Sequence, residues 1–383
     1  MITIADLLDE FTERPTAEES PEVLTLTEKN GFIPQAERFH KRLATEDISR
    51  YKVVRRHDIA FNPYLLWAGA VAQNTIRDAG IISPLYPTFR VRQGFDPRYV
   101  ARLLLTDQMI AAYDGIAFGS VPRRRRSSVS DFLSLGLPDQ PGLVEQRRIA
   151  AILDQADALR AKRRHCLQSF DLLSTAQFEA TLAAPQKRAE LGSLISDGPK
   201  NGLYKPSSDY GSGTPIVRID SFGPGTGRLN LSQLKRLRAT PTETREYQLK
   251  NGDIVINRVN AVPHVGKAVL VAGLEEATVF ESNMMRVTAD KAQVLPEFLI
   301  AFLRSADARR QLAPKIKRAV NQASINQTDL RSLKVPLPAM VHQREFANRV
   351  AAINAQREAA ERSLATLDEL FASLQSRAFS GQL

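Results

Sequence analysis

The chain repeats itself, and this repeat limits the folds that it can adopt. Four segments of its first half recur in its second half, in the same order and about 197 residues further on. The matched segments are 51–62 with 247–257, 97–100 with 296–299, 130–138 with 328–336, and 146–149 with 343–346. Four matches in register predict two diverged copies of one domain architecture.

Each pair of matched segments predicts the same local structure in both copies. Apolar residues alternate along 58–62 and 253–257, which is typical of a strand. Pro97 and Pro296 each stand at the first position of an amphipathic helix, where a missing N–H costs nothing. The third pair predicts a turn and then a short strand ended by proline. Strands, helices and Gly-rich turns together indicate a mixed α+β domain.

The fourth pair of segments begins two long helices. Neither 143–182 nor 341–380 contains Pro or Gly, so each can form one helix of nearly 40 residues, roughly 55 Å long. Apolar residues recur at alternating spacings of three and four, as in a coiled coil. The predicted seam consists of Ile149, Ile152, Leu159, Phe170 and Leu173 in the first helix, and Phe346, Val350, Ile353, Leu364, Leu367, Phe371 and Leu374 in the second.

The two seams predict how the copies are connected. A lone apolar stripe must be buried, and the simplest partner is the other stripe of the same chain, in an antiparallel intramolecular coiled coil. The predicted order is a first domain at 1–140, a long helix at 141–184, a second domain at 185–338 and a second long helix at 339–383. This order predicts a pseudo-two-fold arrangement, with the two domains separated by the two helices.

The charge of the chain indicates a polyanionic partner. Lys and Arg number 52 and Asp and Glu 42, which gives a net charge of +10. Four adjacent arginines repel one another unless a polyanion neutralises them, and basic or amide side chains on loops can contact phosphates or base edges. The predicted DNA-binding residues are Arg123, Arg124, Arg125 and Arg126 in the first domain, and Asn201, Tyr204, Lys205, Arg258, Asn260, His264, Lys267, Lys315, Lys317 and Arg318 in the second.

Several other classes of protein fit the sequence poorly. Asn62-Pro63-Tyr64 is similar to the Asn-Pro-Pro-Tyr loop of amino-methylating DNA methyltransferases, but it lacks one proline, and its repeat counterpart at Asn257 is followed by arginine. No glycine-rich cofactor loop, acidic nuclease motif or histidine spacing of a metal site is present. We therefore expect no catalytic residue, no metal and no cofactor on this chain.

Cysteine content, N-terminal charge and the length of apolar stretches indicate the compartment of the chain. Cys166 is the single cysteine, which excludes an internal disulfide and suits a reducing compartment. The first 14 residues carry four acidic side chains, the wrong charge for a secretory leader. The longest unbroken apolar stretch, 64–72, is too short to span a bilayer. We expect a cytoplasmic protein that does not bind membranes.

Three segments of the chain resemble the specificity subunits of type I restriction-modification systems. They are LVEQRRIAAILD at 143–154, GDIVINR at 252–258 and LFASLQSRAFSGQL at 370–383. The resemblance implies two target recognition domains, each of which reads one half of a bipartite, asymmetric DNA site, separated by two spacer helices. The recognition domains vary freely within the family, so the base-contacting residues cannot be transferred.

The resemblance also implies partners. A specificity subunit of this family has no catalytic activity of its own. It binds double-stranded DNA, recruits two modification subunits that methylate adenine and hold S-adenosylmethionine, and joins restriction subunits that cleave.

Two other functions remain open at this point. A self-contained DNA-modifying enzyme lacks support because the chain shows no cofactor loop. A coiled-coil scaffold or adaptor with non-specific nucleic-acid binding would explain the helices, but it leaves the duplicated basic domains unexplained.

Overall fold

The computed structural model of the chain describes residues 2–16, 21–28, 30–38, 48–119, 125–184, 186–223, 227–320 and 322–383. The internal contacts divide the chain into two compact units. Unit 1 consists of Met1–Lys162 and Leu364–Leu383, and unit 2 consists of Arg163–Ser363.

The elements of unit 1 come from the first copy of the repeat and the helix that follows it. Its strands are β1 Ile2–Thr3, β2 Leu8–Phe11, β3 Glu22–Thr27, β4 Gly31–Pro34, β5 Lys52–Arg55, β6 Ile59–Phe61, β7 Val71–Gln73, β8 Ala79–Ile82, β9 Thr88–Val91 and β10 Gly136–Leu137. Its helices are α1 Ile4–Leu7, α2 Gln35–Arg38, α3 Pro97–Leu103, α4 Asp107–Gly115, α5 Val129–Leu133 and the first part of α6 Leu143–Thr181.

Unit 2 contains the second copy of the repeat. Its strands are β11 Lys187–Glu190, β12 Ile195–Asn201, β13 Tyr210–Val217, β14 Lys235–Leu237, β15 Asp253–Asn257, β16 Val259–Asn260, β17 Ala268–Leu270, β18 Val279–Phe280, β19 Met284–Ala289, β20 Lys317–Arg318, β21 Ala323–Ser324 and β22 Lys334–Leu337. Its helices are the end of α6, α7 Pro241–Tyr247, α8 Pro296–Arg304, α9 Ala306–Leu312, α10 Gln327–Arg331 and the first part of α11 Met340–Phe379, whose last part belongs to unit 1.

The sheets confirm the duplicated α+β fold. A four-stranded sheet has the order β2-β9-β6-β7 in unit 1 and β12-β19-β15-β17 in unit 2. A second sheet contains one parallel pair in each unit, β3 with β8 and β13 with β18. A two-stranded antiparallel pair, β1 with β10 and β11 with β22, completes the match. These three strand arrangements of one unit are therefore repeated in the other.

The strands predicted at 58–62 and 253–257 lie at the centre of these units. All five residues of β15 are buried, because both faces of the strand are covered. Ile254 and Ile256 belong to the core around helix α8, whereas Val255 packs with Val217 and Phe280 of the second sheet. The alternation that predicted a strand thus separates two apolar cores, not a core from solvent.

The third pair of repeated segments differs from the prediction of a turn before the short strand. Each segment begins with a short helix, α5 or α10, and the strand follows it. Ser128 Oγ accepts a hydrogen bond from the Asp131 N–H at 3.0 Å, and Asn326 Oδ1 accepts one from the Asp329 N–H at 2.9 Å. These side chains satisfy free N–H groups of the first turn, which stabilises a helix of five residues.

The two long helices form as predicted, with 39 residues in α6 and 40 in α11. Within unit 2, Asp171 accepts a hydrogen bond from Arg357 at 2.6 Å, and Gln177 accepts one from Arg349 at 3.2 Å. As the residue number rises along α6, the number of its partner in α11 falls, so the two helices pack antiparallel. In unit 1, Arg160 donates to Asp368 at 2.6 Å.

Most predicted seam residues are buried or half-buried, and two are not. Leu159 is 52% exposed and Leu173 is 47% exposed. Besides the predicted Ile149, the buried apolar residues of α6 include Ala150, Leu153 and Ala156 in unit 1 and Phe178 in unit 2. A helix with 3.6 residues per turn drifts against a strict seven-residue pattern, so the packed stripe leaves the predicted positions. None of the helices in the described residues is long and apolar enough to cross a membrane.

Candidate nucleic-acid interface

A three-stranded sheet in unit 2 brings basic and amide side chains together. Its order is β16-β21-β20. Asn260 of β16 and Arg318 of β20 both pair with Ala323 of the central strand, one on each side. Lys317 pairs with the neighbouring Ser324. Because Lys317 and Arg318 are exposed, this sheet presents two positive charges to solvent beside an amide.

Arg258 lies between this sheet and the central strand β15. Its guanidinium donates to the Ser282 carbonyl at 3.2 Å, and its own carbonyl accepts from the Ile325 N–H at 3.0 Å. The buried Nε has no hydrogen-bond partner among the described residues. Arg258 therefore keeps one buried donor unpaired while its backbone connects the strands.

His264 and Lys267 project from a loop that returns to the end of β15. Lys267 Nζ lies 2.9 Å from His264 Nδ1, and both residues are exposed. The loop is fixed by Asn257, which is fully buried and donates from its side chain to the His264 carbonyl at 2.9 Å. Asn257 is not among the predicted DNA-binding residues, although it positions this loop. Its repeat counterpart Asn62, also buried, was the available signal.

Asn201 is the last residue of strand β12, and Tyr204 and Lys205 follow it. Asn201 pairs with Met285 in the same sheet, and Tyr204 is 75% exposed. Lys205 is different, because its ammonium lies 2.9 Å from Glu243 and 3.9 Å from Asp209. The hydrogen bond from the Thr240 N–H, and then the contact with Lys205, lower the pKa of Glu243. The charge of Lys205 is therefore neutralised within the protein.

The arginine run of unit 1 falls only partly on described residues, since Arg123 and Arg124 lie outside them. Arg125 donates to the Asp114 carboxylate at 2.5 Å and to the Asp114 carbonyl at 2.7 Å, which commits its guanidinium to the fold. Arg126 is exposed, with its guanidinium 5.7 Å from the centre of the Tyr64 ring. The four arginines are thus not equivalent.

The arginine run and Lys317–Arg318 lie in the same region of the repeat, between α4 and α5 in unit 1 and between α9 and α10 in unit 2. In unit 1, the backbones of Phe118 and Arg126 form an antiparallel bridge with hydrogen bonds of 2.9 and 3.0 Å. In unit 2, the antiparallel pair β20 and β21 stands at the same place in the repeat, with Lys315 half-buried just before it. Each unit therefore has an antiparallel backbone pairing in this region, with Arg126 on its second side in unit 1 and Lys317 and Arg318 on its first side in unit 2.

Comparison with known proteins gives consistent matches. Residues 200–367 match the model of the type I restriction modification DNA specificity domain. A protein of Methanocaldococcus jannaschii, provisionally named the MjaX specificity subunit of a type I restriction enzyme, is 30% identical over 42% of this chain and 39% of its own length. The EcoKI specificity subunit of Escherichia coli is 26% identical over 63% of this chain and 57% of its own length. The chain thus spans less than two thirds of the length of these two relatives.

A solved structure extends the similarity of fold over nearly the whole chain. The crystal structure of the S subunit of a type I restriction-modification system from M. genitalium matches with a TM-score of 0.58, at 14% identity. The match covers 98% of this chain and 95% of that one. At this identity the likeness concerns the fold alone.

Proposed function

Because the chain belongs to the family of type I restriction-modification specificity subunits, we propose that it reads a bipartite, asymmetric DNA site with one half-site per recognition domain. The observation that carries this proposal is the duplication of one sheet order, and of one antiparallel backbone pairing that carries basic residues, in two units. Two diverged copies supply two different half-site readers. The antiparallel helices supply a spacer whose length determines the gap.

The chain acts through partners in this proposal. It contributes no catalytic group and recruits two modification subunits, which hold S-adenosylmethionine and methylate adenine, together with restriction subunits. Among the described residues, no group of three or more His, Cys, Asp or Glu side chains could hold a metal ion. The chain would select where the chemistry of its partners takes place.

The proposed DNA-contacting side chains differ in whether they already have a carboxylate partner within the protein. Asn260, Lys317 and Arg318 lie in the small sheet of unit 2, and Arg258 directly precedes its strand β16. His264 and Lys267 lie on the loop that follows β16, and Arg126 lies in the antiparallel pairing of unit 1. Arg125 and Lys205 already have carboxylate partners, so a phosphate would have to displace Asp114 or Glu243. The exposed members are therefore the stronger candidates for phosphate contact.

The decisive test is a map of methylated adenines in DNA modified by this chain together with its modification subunit. We expect a two-part motif with one fixed gap. Absence of any motif, with the same modification subunit active beside another specificity chain, would contradict the proposal and favour a scaffold without sequence preference.

The exposed pair Lys317 and Arg318 gives a second test. Replacing both with Ala should weaken DNA binding and reduce the slope of log affinity against log salt by about 1 for each phosphate that the variant no longer neutralises. The measurement is a titration of a duplex that contains the mapped motif, at several salt concentrations. Lys291→Ala is the control, because this exposed lysine follows the end of strand β19 that pairs with Asp253. The other end of β19 pairs with Asn257, next to Arg258. A variant slope equal to that of the control would assign Lys317 and Arg318 to another role.

A further inference from the structure

A buried glutamine stands at the same place near the start of each long helix. Gln146 of α6 and Gln343 of α11 are repeat counterparts, and each is only 1% exposed. A buried amide is costly unless its donors and acceptor are paired. The partners of these two side chains are therefore informative.

In unit 1, Gln146 connects the long helix to the recognition domain. Its Oε1 accepts a hydrogen bond from the Asp96 N–H at 2.9 Å, and Asp96 is the N-cap residue of the domain helix α3. Its Nε2 donates to the Pro141 carbonyl at 2.8 Å, in the segment that leads into α6. One side chain thus joins the domain, the connecting segment and the spacer helix.

In unit 2, Gln343 makes the two corresponding contacts and one more. Its Oε1 accepts from the Leu295 N–H at 2.9 Å, and Leu295 is the N-cap residue of the domain helix α8. Its Nε2 donates to the Pro338 carbonyl at 3.0 Å and to the Gln293 carbonyl at 3.3 Å. The arrangement is therefore duplicated with the domain, in units whose cores differ in sequence.

The geometry of these contacts distinguishes them from the apolar packing around them. Ile149 and Tyr99 in unit 1, and Phe346 and Phe298 in unit 2, hold domain and helix together by burial. Burial is non-directional, so it tolerates a small rotation or slide of one element on the other. Hydrogen bonds weaken steeply when their angle or length changes. The two glutamines therefore oppose the rotation that apolar packing permits.

We propose that Gln146 and Gln343 are positioning residues for gap selection, which fix the orientation of each recognition domain on its spacer helices. This inference rests on the proposed function, since a gap exists only for a bipartite site. The glutamines touch no DNA in this proposal. They determine at what separation two correctly read half-sites are accepted together.

The test uses the full chain with its modification subunit, S-adenosylmethionine and a pool of duplexes. The duplexes carry both mapped half-sites at the original gap and at gaps one or two base pairs shorter or longer. The variants are Gln146→Met, Gln343→Met and the double variant. Gln155→Met and Gln356→Met are matched controls, because these glutamines are exposed on the same two helices. Initial methylation rates are measured for every gap and for half-sites with single base changes.

We expect the wild type and both controls to methylate one gap. In the double variant, the preference for that gap over its neighbours should fall roughly tenfold, because neither domain keeps its directional hydrogen bond to the helix. The base preference within each half-site should stay the same, whereas a general loss of structure would change it as well. If the Met variants fail to fold, Gln146→Asn and Gln343→Asn, which shorten the side chain and keep the amide, are judged by the same ratio.

An unchanged preference for the gap in folded variants would overturn this inference alone, as long as the wild type methylates a single gap. A wild type that methylates no two-part site would overturn the proposed function and this inference with it.

Discussion

Lengthening both spacer helices by one heptad should abolish methylation of the original site and create a site with a longer gap. Seven residues add about 10 Å to a helix, which corresponds to about three base pairs of DNA. The insertions belong after Lys162 in α6 and after Ser363 in α11, where the two compact units meet in sequence. At these points the insertions leave the contacts within each unit intact.

The expected result is measured by mapping methylated adenines genome-wide for the variant complex. A seven-residue insertion also preserves the face that each helix presents, since it adds almost two full turns. An insertion in α6 alone, within 149–173, is the companion experiment. It should abolish recognition of the original gap without a defined new one, because the partner helix no longer matches. Retention of the original motif by either variant would show that the helices do not determine the gap.

Phe346→Ala should destabilise unit 2 by about 3 to 5 kcal/mol. Phe346 is 2% exposed and packs with Phe178 and Phe298, whose ring centres lie 6.0 and 5.8 Å away. These three rings join α6, α11 and the domain helix α8. Removing one ring leaves a cavity that the two others cannot fill without giving up their own packing.

The measurement is the free energy of unfolding, obtained by titrating the full chain with denaturant. A probe in unit 2 reports the unfolding of that unit. Val341→Ala is the matched control, because Val341 is on the same helix and 56% exposed, and a change within about 0.5 kcal/mol is expected. A loss of stability for Phe346→Ala as small as that of the control would mean that the aromatic cluster does not hold the helix to the domain.

The residues of the candidate interface could be predicted from the sequence, but their arrangement could not. Charge and loop composition predicted Lys317, Arg318 and Asn260 as DNA-binding residues, but not that β16, β21 and β20 place them in one sheet. Composition also could not distinguish Arg126, which is exposed, from Arg125, which pairs with Asp114. Neighbouring arginines look alike in a sequence, and only the fold decides which of them meets a carboxylate.

The sequence by itself determined the duplication, the two long helices and the strands at the centre of each unit. These features depend on local periodicity and on repetition, which the order of residues records directly. Tertiary structure alone decided that Leu159 and Leu173 leave the seam and that Arg357 is buried against Asp171. It also decided that Gln146 and Gln343 bind the N-caps of α3 and α8. Those outcomes depend on partners about 50 or more residues away, and pairing at that distance leaves no period in the sequence.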